Sequence, residues 1–239
     1  MFYFLMRHIL GPLAKLYFRP WAKGVENVPA EGPAILASNH LAVIDSFVMP
    51  LTFNRRVRFI GKSDYFTGRG LKGKAVAGFM RSMGVIPVDR TGGKAEGALA
   101  AAKAVLDEGG LFGIYPEGTR SPDGRLYRAK TGAARLAIVT GAPVIPVVMI
   151  DTDKAQRIGQ RIPKPLSIGV IFGEPLDFSR YAGMENDRYI LRAVADEITL
   201  ATARLSDQEY VDMYAATAKA NLAAEGKAAA EEKPAELPH

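Results

Sequence analysis

The chain has 239 residues, 48% of them hydrophobic, with a formal net charge of +6. This length accommodates one α/β domain with a buried core, and the charge favours an anionic partner such as nucleic acid, an anionic lipid surface or a phosphorylated small molecule. Cysteine is absent, which excludes disulfide scaffolds, thiolate zinc sites and cysteine nucleophiles. The three histidines have no carboxylates arranged around them, so we expect no metal site.

The N-terminal segment, residues 1–24, is rich in Phe, Tyr and Leu but is interrupted by Arg7, Pro12 and Lys15. It lacks the run of about 18 apolar residues that a membrane-spanning helix needs, and its charges follow the apolar run, unlike those of a signal peptide. We therefore predict an amphipathic, membrane-associating helix in this segment. The alternative is that these residues cover the core of the domain.

Six short runs rich in apolar residues predict buried strands. They lie at residues 34–37, 57–60, 85–88, 111–115, 144–150 and 167–172. Helices are predicted at 94–108, 132–140 and 186–220. Because strands and helices alternate, we predict a single-domain α/β fold whose central sheet is mostly parallel or mixed and is flanked by helices. Ligands of such sheets bind at the ends of the strands.

The composition changes near the C-terminus. From residue 223 the chain is dominated by Ala, Glu, Lys and Pro. Such a segment cannot bury enough apolar surface to offset the entropy of ordering it. We predict a disordered tail at 223–239, which leaves residues 25–222 as the folded domain.

The segment at 38–46 follows the first predicted strand and contains His40 and Asp45. A neutral histidine can take a proton from an attacking hydroxyl, while a carboxylate on its other ring nitrogen fixes the tautomer. Residues five apart lie on different faces of an ideal helix, so this pairing requires His40 to lie in the turn before the helix. The spacing alone also fits a structural histidine beside an unrelated aspartate.

A second candidate loop, at 115–121, follows the strand at 111–115 and reads Tyr-Pro-Glu-Gly-Thr-Arg-Ser. Backbone donors beside a glycine, a hydroxyl and a guanidinium form a favourable pocket for an oxyanion or a phosphate. The same Pro-Glu-Gly sequence also forms ordinary turns. A third candidate, the strand at 84–90, places Arg90 at its end, where the arginine can reach the same sheet edge or remain solvated.

The glycines at 68–73 match a dinucleotide fingerprint and part of a phosphate loop. We set both aside, because residues 64–67 form a poor strand and Ala75 stands where a phosphate loop needs a hydroxyl. The surrounding basic residues indicate an anion-facing loop, with a solvated face as the alternative. They are Lys62, Arg69, Lys72 and Lys74.

Together, four blocks resemble in order and spacing the signature blocks of the glycerolipid acyltransferase family, which includes 1-acylglycerol-3-phosphate acyltransferases. They are Asn-His-x4-Asp at 39–45, Gly-Val-Ile-Pro-Val-Asp-Arg at 84–90, Pro-Glu-Gly-Thr-Arg-Ser at 116–121 and Val-Ile-Pro-Val at 144–147. The resemblance covers about residues 25–175. One departure is Ser63, where the family usually has an acidic residue after the lysine at the position of Lys62.

The resemblance implies a glycerol-3-phosphate acyltransferase-like fold and the transfer of a fatty acyl group from acyl-CoA or acyl carrier protein. The acceptor would be the free hydroxyl of 1-acylglycerol 3-phosphate (lysophosphatidic acid), and the product would be phosphatidic acid. It also implies that His40 is the base and Asp45 its orienting partner, with no metal and no permanently bound cofactor. The implied acceptor-binding residues are Lys62, Arg90, Glu117, Gly118, Thr119 and Arg120.

Three alternatives remain at the level of the sequence. The same chemistry could act on glycerol 3-phosphate or on another lysolipid or glycolipid. A noncatalytic peripheral lipid-binding protein would share the basic, amphipathic character but would not need a base, an acid and anion-binding loops together. A nucleic-acid binder is disfavoured, because basic and aromatic residues are not interleaved in a recognition motif. We expect a peripheral or monotopic protein on the cytoplasmic face of the cell membrane, in contact with anionic lipids.

Overall fold

A computed structural model of the chain describes residues 10–88 and 95–231. The strands are β1 Trp21–Lys23, β2 Ala34–Ser38, β3 Val57–Lys62, β4 Val85–Val88, β5 Leu111–Ile114, β6 Leu126–Tyr127, β7 Val144–Ile150, β8 Gly169–Phe172 and β9 Tyr210–Val211. The α-helices are α1 Gly11–Phe18, α2 Asp45–Val48, α3 Gly70–Ser82, α4 Ala95–Asp107, α5 Gly132–Thr140, α6 Thr152–Ala155, α7 Arg188–Leu205 and α8 Ala215–Glu231.

Seven strands form the central sheet in the order β1-β8-β7-β2-β5-β3-β4. Neighbouring strands are parallel except for the antiparallel pair β7 and β8. β2 lies between β5 and β7, and each of its five residues is buried. A strand covered on both faces needs apolar residues without alternation, which explains the run Ala-Ile-Leu-Ala at its start. The predicted α/β fold with a mostly parallel, mixed sheet is confirmed.

Each face of the sheet carries its own hydrophobic core. On one face, α4, α5 and α7 pack over residues such as Ile35 and Phe112. On the other, α1 and the loops around α2 cover residues such as Leu36, Leu111 and Ile145. Alternate residues of β2 therefore enter different cores, as the pleat of a strand requires. This packing fixes the strand ends from which the candidate loops begin.

The six predicted strands all form, with ends displaced by no more than two residues. The segment after Gly68 was predicted to be a loop, but Gly70–Ser82 is the helix α3. The glycines there allow close backbone approach, because a Cβ on Gly73 would collide with the backbone of Gly68. Binding of a nucleotide is not needed to explain their spacing.

The predicted helix at 186–220 is interrupted after Leu205 and resumes at Ala215. Between the two helices, β9 pairs in parallel with β6 in a separate two-stranded sheet. α8 then continues to Glu231, past residue 223, where the predicted disordered tail begins, and residues 232–239 of that predicted tail lie outside the described residues. Alanine is the strongest helix former, so an alanine-rich segment can extend a helix that packing has already nucleated.

The described part of the N-terminal segment begins at Leu10, and residues 1–9 of the predicted amphipathic helix lie outside the described residues. α1 is attached to the domain through Phe18, which is buried in the second core. Among the described residues, no helix is both long enough and apolar enough to cross a membrane.

Candidate active site

The register of β2 and β5 brings the first two candidate loops together. Ala37 and Ile114 are partners in this parallel pair, so the residues three positions later, His40 and Glu117, leave the sheet side by side. The backbone N–H of His40 donates to Glu117 Oε1 at 3.0 Å. The N–H of Ser121 donates to the carbonyl of His40 at 2.7 Å. Two sequence blocks separated by more than seventy residues therefore form one structure.

His40 and Asp45 form a hydrogen-bonded pair, with 2.8 Å between His40 Nδ1 and Asp45 Oδ2. The same carboxylate oxygen accepts the backbone N–H groups of Leu41 and Ala42 at 2.8 and 3.0 Å. These bonds bend the chain back before α2, as the five-residue spacing requires. Asp45 is fully buried, whereas the His40 side chain is 18% exposed. Its Nε2 has no hydrogen-bond partner among the described residues.

An aromatic stack fixes the plane of the His40 ring. The ring of Tyr115 stacks on it, with 3.8 Å between centroids and an interplanar angle of 14°. The Phe59 ring is in turn nearly parallel to that of Tyr115, with 5.9 Å between centroids. This arrangement requires Gly113, because a Cβ there would collide with the Phe59 ring. Tyr115 also shares a 2.7 Å hydrogen bond with Ser46 Oγ, and burial raises the pKa of its phenol, which stays protonated.

The Glu117 side chain holds the backbone of the site in place and is not exposed at its surface. It is buried, and its second carboxylate oxygen accepts the N–H of Tyr127 at 3.0 Å. Burial raises its pKa to about 7, partly offset by the two backbone donors, and the nearby Asp45 adds to the increase. Near neutral pH this carboxyl group is therefore partly protonated, while its hydrogen bond positions the backbone of His40.

Three side-chain amides, those of Asn39, Gln156 and Gln208, hold the same loop. The side chain of Asn39 pairs with Met149 of β7, accepting its N–H at 2.7 Å and donating to its carbonyl at 3.1 Å. The Asn39 amide also donates to Gln208 at 2.6 Å. Gln156 accepts the N–H of Ile44 at 3.2 Å. Asn39 stood within a recognised block, but the two glutamines carried no sequence signal.

The loop at 117–120 turns at Gly118, which has a φ of +76°. A side chain there would be strained and would also meet the stem of Lys130. Lys219 of α8 donates to Thr119 Oγ1 at 3.1 Å and to the carbonyl of Arg120 at 3.3 Å. No sequence motif indicated a role for Lys219. The structure therefore assembles His40, Asp45 and residues 117–120 in one place.

The remaining predicted residues lie at the same sheet edge or outside the described residues. Lys62 is the last residue of β3, and its side chain is exposed. Its register partner is Val88, the last described residue before Arg90, which itself lies outside the described residues. Of the basic residues near the glycines, Arg69 and Lys74 are exposed. Among the described residues, no group of three or more His, Asp or Glu side chains is placed to hold a metal ion.

Comparison with known protein families identifies the region that contains this site. The model of the family described as Acyltransferase matches residues 21–150, more than half of the chain. The protein belongs to the acyltransferase family. The matched region includes the His40–Asp45 pair and the loop at 117–120, whereas Lys219 and Gln208 lie beyond it.

Two relatives are named 1-acyl-sn-glycerol-3-phosphate acyltransferases. The chloroplastic protein of Arabidopsis thaliana is 31% identical over 161 residues, which are 66% of this chain and 44% of the relative. The alpha protein of Homo sapiens is 30% identical over 149 residues, which are 61% of this chain and 50% of the relative. The chain thus spans about half or less of the length of these relatives.

A crystal structure of another protein has a similar fold. The 1-acyl-sn-glycerophosphate (LPA) acyltransferase PlsC from Thermotoga maritima superimposes with a TM-score of 0.57 at 26% identity. The match covers 82% of this chain and 78% of that one.

Proposed function

We propose that the protein transfers a fatty acyl group from an acyl thioester to the free hydroxyl of 1-acylglycerol 3-phosphate, giving phosphatidic acid. The observation that carries this proposal is the 2.8 Å contact between His40 Nδ1 and the buried Asp45 carboxylate. It leaves Nε2 of a partly exposed histidine available for a substrate hydroxyl, next to a loop that contains Arg120. The named substrates of the relatives support the same acceptor.

In the proposed mechanism, His40 Nε2 takes the proton of the acceptor hydroxyl as its oxygen attacks the thioester carbonyl carbon. Asp45 holds the proton of Nδ1 and stabilises the imidazolium that forms. The tetrahedral intermediate then collapses, the carbon–sulfur bond breaks, and the proton on Nε2 passes to the departing thiolate. A thiolate is a good leaving group, so this step requires one base and hydrogen-bond donors for the oxyanion.

The acceptor phosphate would bind at the edge formed by the ends of β3, β4 and β5. Arg120 offers a planar guanidinium that can bind two phosphate oxygens, and Gly118 and Thr119 offer backbone and hydroxyl donors. Lys62 ends β3, and Arg90 comes two positions after the end of β4 in the sequence; both would contribute positive charge to phosphate binding. Acyl-CoA or acyl carrier protein serves as a substrate in this scheme, and no bound cofactor is required.

We also propose a peripheral attachment to the cytoplasmic face of the cell membrane. α1 exposes Leu13, Leu16 and Tyr17. The hydroxyl of Tyr17 donates to the carbonyl of Pro163 at 2.9 Å, which places α1 beside the loop at 156–166. That loop exposes Ile162, which is as accessible as Leu16 at 76%.

The charges around these apolar residues favour anionic lipid. The segment at 10–25 and the loop at 156–166 together carry six lysines and arginines and no acidic residue. Basic residues near an anionic surface contribute about 1 kcal/mol each, while apolar side chains insert among the headgroups. The cytoplasmic leaflet is the anionic one. A membrane at this surface would also supply the lipid acceptor to the site.

The membrane proposal is tested by sedimentation with vesicles of phosphatidylglycerol or of phosphatidylcholine. Leu16→Glu and Ile162→Glu should each weaken binding to the anionic vesicles at least tenfold. Leu200→Glu is the matched control, since Leu200 is exposed on α7, away from both segments. Binding of the first two variants equal to that of the control would contradict the proposed surface.

The acceptor is tested by incubating the purified protein with palmitoyl-CoA and lysophosphatidic acid, glycerol 3-phosphate or no acceptor. Mass spectrometry of the lipid product and release of the CoA thiol are measured together. Phosphatidic acid formed only with lysophosphatidic acid supports the proposal. Acylation of glycerol 3-phosphate alone would contradict the proposed acceptor but agree with the proposed chemistry. If neither palmitoyl-CoA nor palmitoyl-carrier protein served as an acyl donor, the proposed function would be contradicted.

A further inference from the structure

Three cationic side chains, Arg120, Lys130 and Lys219, converge on the loop at 117–120, and only Lys219 lies outside the matched family region, residues 21–150. Lys219 reaches the loop from α8, with its Nζ bonded to Thr119 Oγ1 and to the Arg120 carbonyl. The stem of Lys130 lies over Gly118. All three therefore surround the same turn of backbone.

None of the three cations forms an ion pair among the described residues. Elsewhere in the protein, lysines and arginines commonly contact a carboxylate, as Lys103 contacts Asp107 at 2.6 Å and Arg192 contacts Asp196 at 2.6 Å. The polar atoms that hold the Lys219 ammonium are neutral, a hydroxyl and a carbonyl. The cluster thus has positive charge and directed N–H donors but no carboxylate counter-ion from residues 10–88 or 95–231.

The electrostatics of Lys219 also favour a bound anion. Partial burial and the neighbouring Arg120 charge lower the pKa of its ammonium below the usual value. Two like charges held close together destabilise each other, and an anion bound between them relieves this repulsion. An anion should therefore bind more tightly to the pair than to either cation alone.

The position of Lys219 is set by packing. Ala215 and Ala218 of α8 are buried against Tyr127, whose backbone N–H donates to Glu117. Small side chains let the helix approach closely, and the next residue, Lys219, is directed at the loop. α8 is thus connected to the backbone that positions His40, through Tyr127 and Glu117.

We propose that Lys219 is a phosphate-binding residue of the acceptor site and that α8 forms one wall of that site. The ligand is the phosphate monoester of the acceptor, held jointly by Lys219 and Arg120. This inference rests on the proposed function. It assigns to the C-terminal helix the selection of phosphorylated acceptors over neutral monoacylglycerols.

The first test compares Lys219→Met with the wild type in steady-state kinetics. A charge-assisted hydrogen bond to phosphate is worth about a ten- to a hundredfold change in affinity. The Michaelis constant for lysophosphatidic acid should rise by that factor and the constant for palmitoyl-CoA should not change. Lys219→Arg should recover part of the loss, and Lys103→Met should behave as the wild type. A rise confined to palmitoyl-CoA would assign the residue to the phosphates of the donor and overturn the proposal.

A second test does not depend on turnover. Lysines of the whole protein are reductively methylated with ¹³C-formaldehyde, and the Lys219 resonance is identified by its absence in Lys219→Met. Its pKa should rise when glycerol 3-phosphate is added and should not respond to glycerol. No response to glycerol 3-phosphate would overturn the proposal. If the protein transferred no acyl group yet Lys219 responded, the anion site would stand and the acyltransferase function would fail.

Discussion

Replacing Asp45 with asparagine tests the catalytic pair most informatively, because the shape of the side chain is kept while its charge is lost. Asp45 Oδ2 accepts three N–H groups, and its other oxygen is buried without a hydrogen-bond partner among the described residues. In Asp45→Asn the amide oxygen can keep the three bonds only if its NH₂ group is buried unpaired. That should lower the free energy of unfolding by about 1–3 kcal/mol.

The loss in rate should be larger than the loss in stability. A carboxylate about 4 Å from the centre of an imidazolium stabilises it by about 4 kcal/mol at an effective dielectric constant of 20. Losing this charge should reduce kcat by about a thousandfold. If the amide turns instead, its NH₂ group favours the wrong histidine tautomer, and the loss is at least as large.

The assay is release of the CoA thiol, detected with a disulfide reagent in the presence of lysophosphatidic acid. The chain has no cysteine, so the reagent reacts only with the product thiol. Asp107→Asn, on an exposed face of α4, is the matched control and should keep full activity. If Asp45→Asn remained folded by circular dichroism and its kcat lay within tenfold of the wild type, an orienting role for Asp45 would be refuted.

Two further predictions concern the groups around the pair. The pKa of Glu117 is raised from 4.5 to about 7, so the folded state holds this proton more tightly. The free energy of unfolding should therefore fall by about 3 kcal/mol as pH rises from about 4.5 to 7. Urea titrations at several pH values should show this decrease in the wild type and not in Glu117→Gln. An identical decrease in both proteins would contradict its assignment to Glu117. Gly113→Ala should force the Phe59 ring away, lowering the free energy of unfolding by about 1–3 kcal/mol and kcat at least tenfold through the displaced stack on His40. Gly97→Ala, which meets open space in α4, is the control, and equal thermal stability of the two variants would count against the steric account.

The sequence was sufficient to predict features that depend on local pattern or on strand register. The apolar runs predicted the strands because parallel sheets bury both faces, and the run at 34–37 predicted the end of β2 to within one residue. The pairing of His40 with Asp45 was predictable because both belong to one segment, and only the bend before α2 had to be assumed.

Features that depend on contacts between distant segments were not predictable. Lys219 contacts Thr119 across 100 residues only because Ala218 and Ala215 pack on Tyr127. The interruption between α7 and α8 carries no strong breaker, and it forms because β9 pairs with β6. Glu117 was expected at the acceptor site, but no sequence pattern indicates that both of its carboxylate oxygens accept backbone N–H groups.

The central claim is that His40 is the base of an acyl transfer to a phosphorylated glycerol acceptor. It is tested most directly by thiol release from palmitoyl-CoA with lysophosphatidic acid, comparing the wild type with His40→Ala of equal fold by circular dichroism. The account predicts acceptor-dependent release by the wild type and a decrease of at least a thousandfold in the variant. Release by folded His40→Ala at a rate close to that of the wild type would contradict the account.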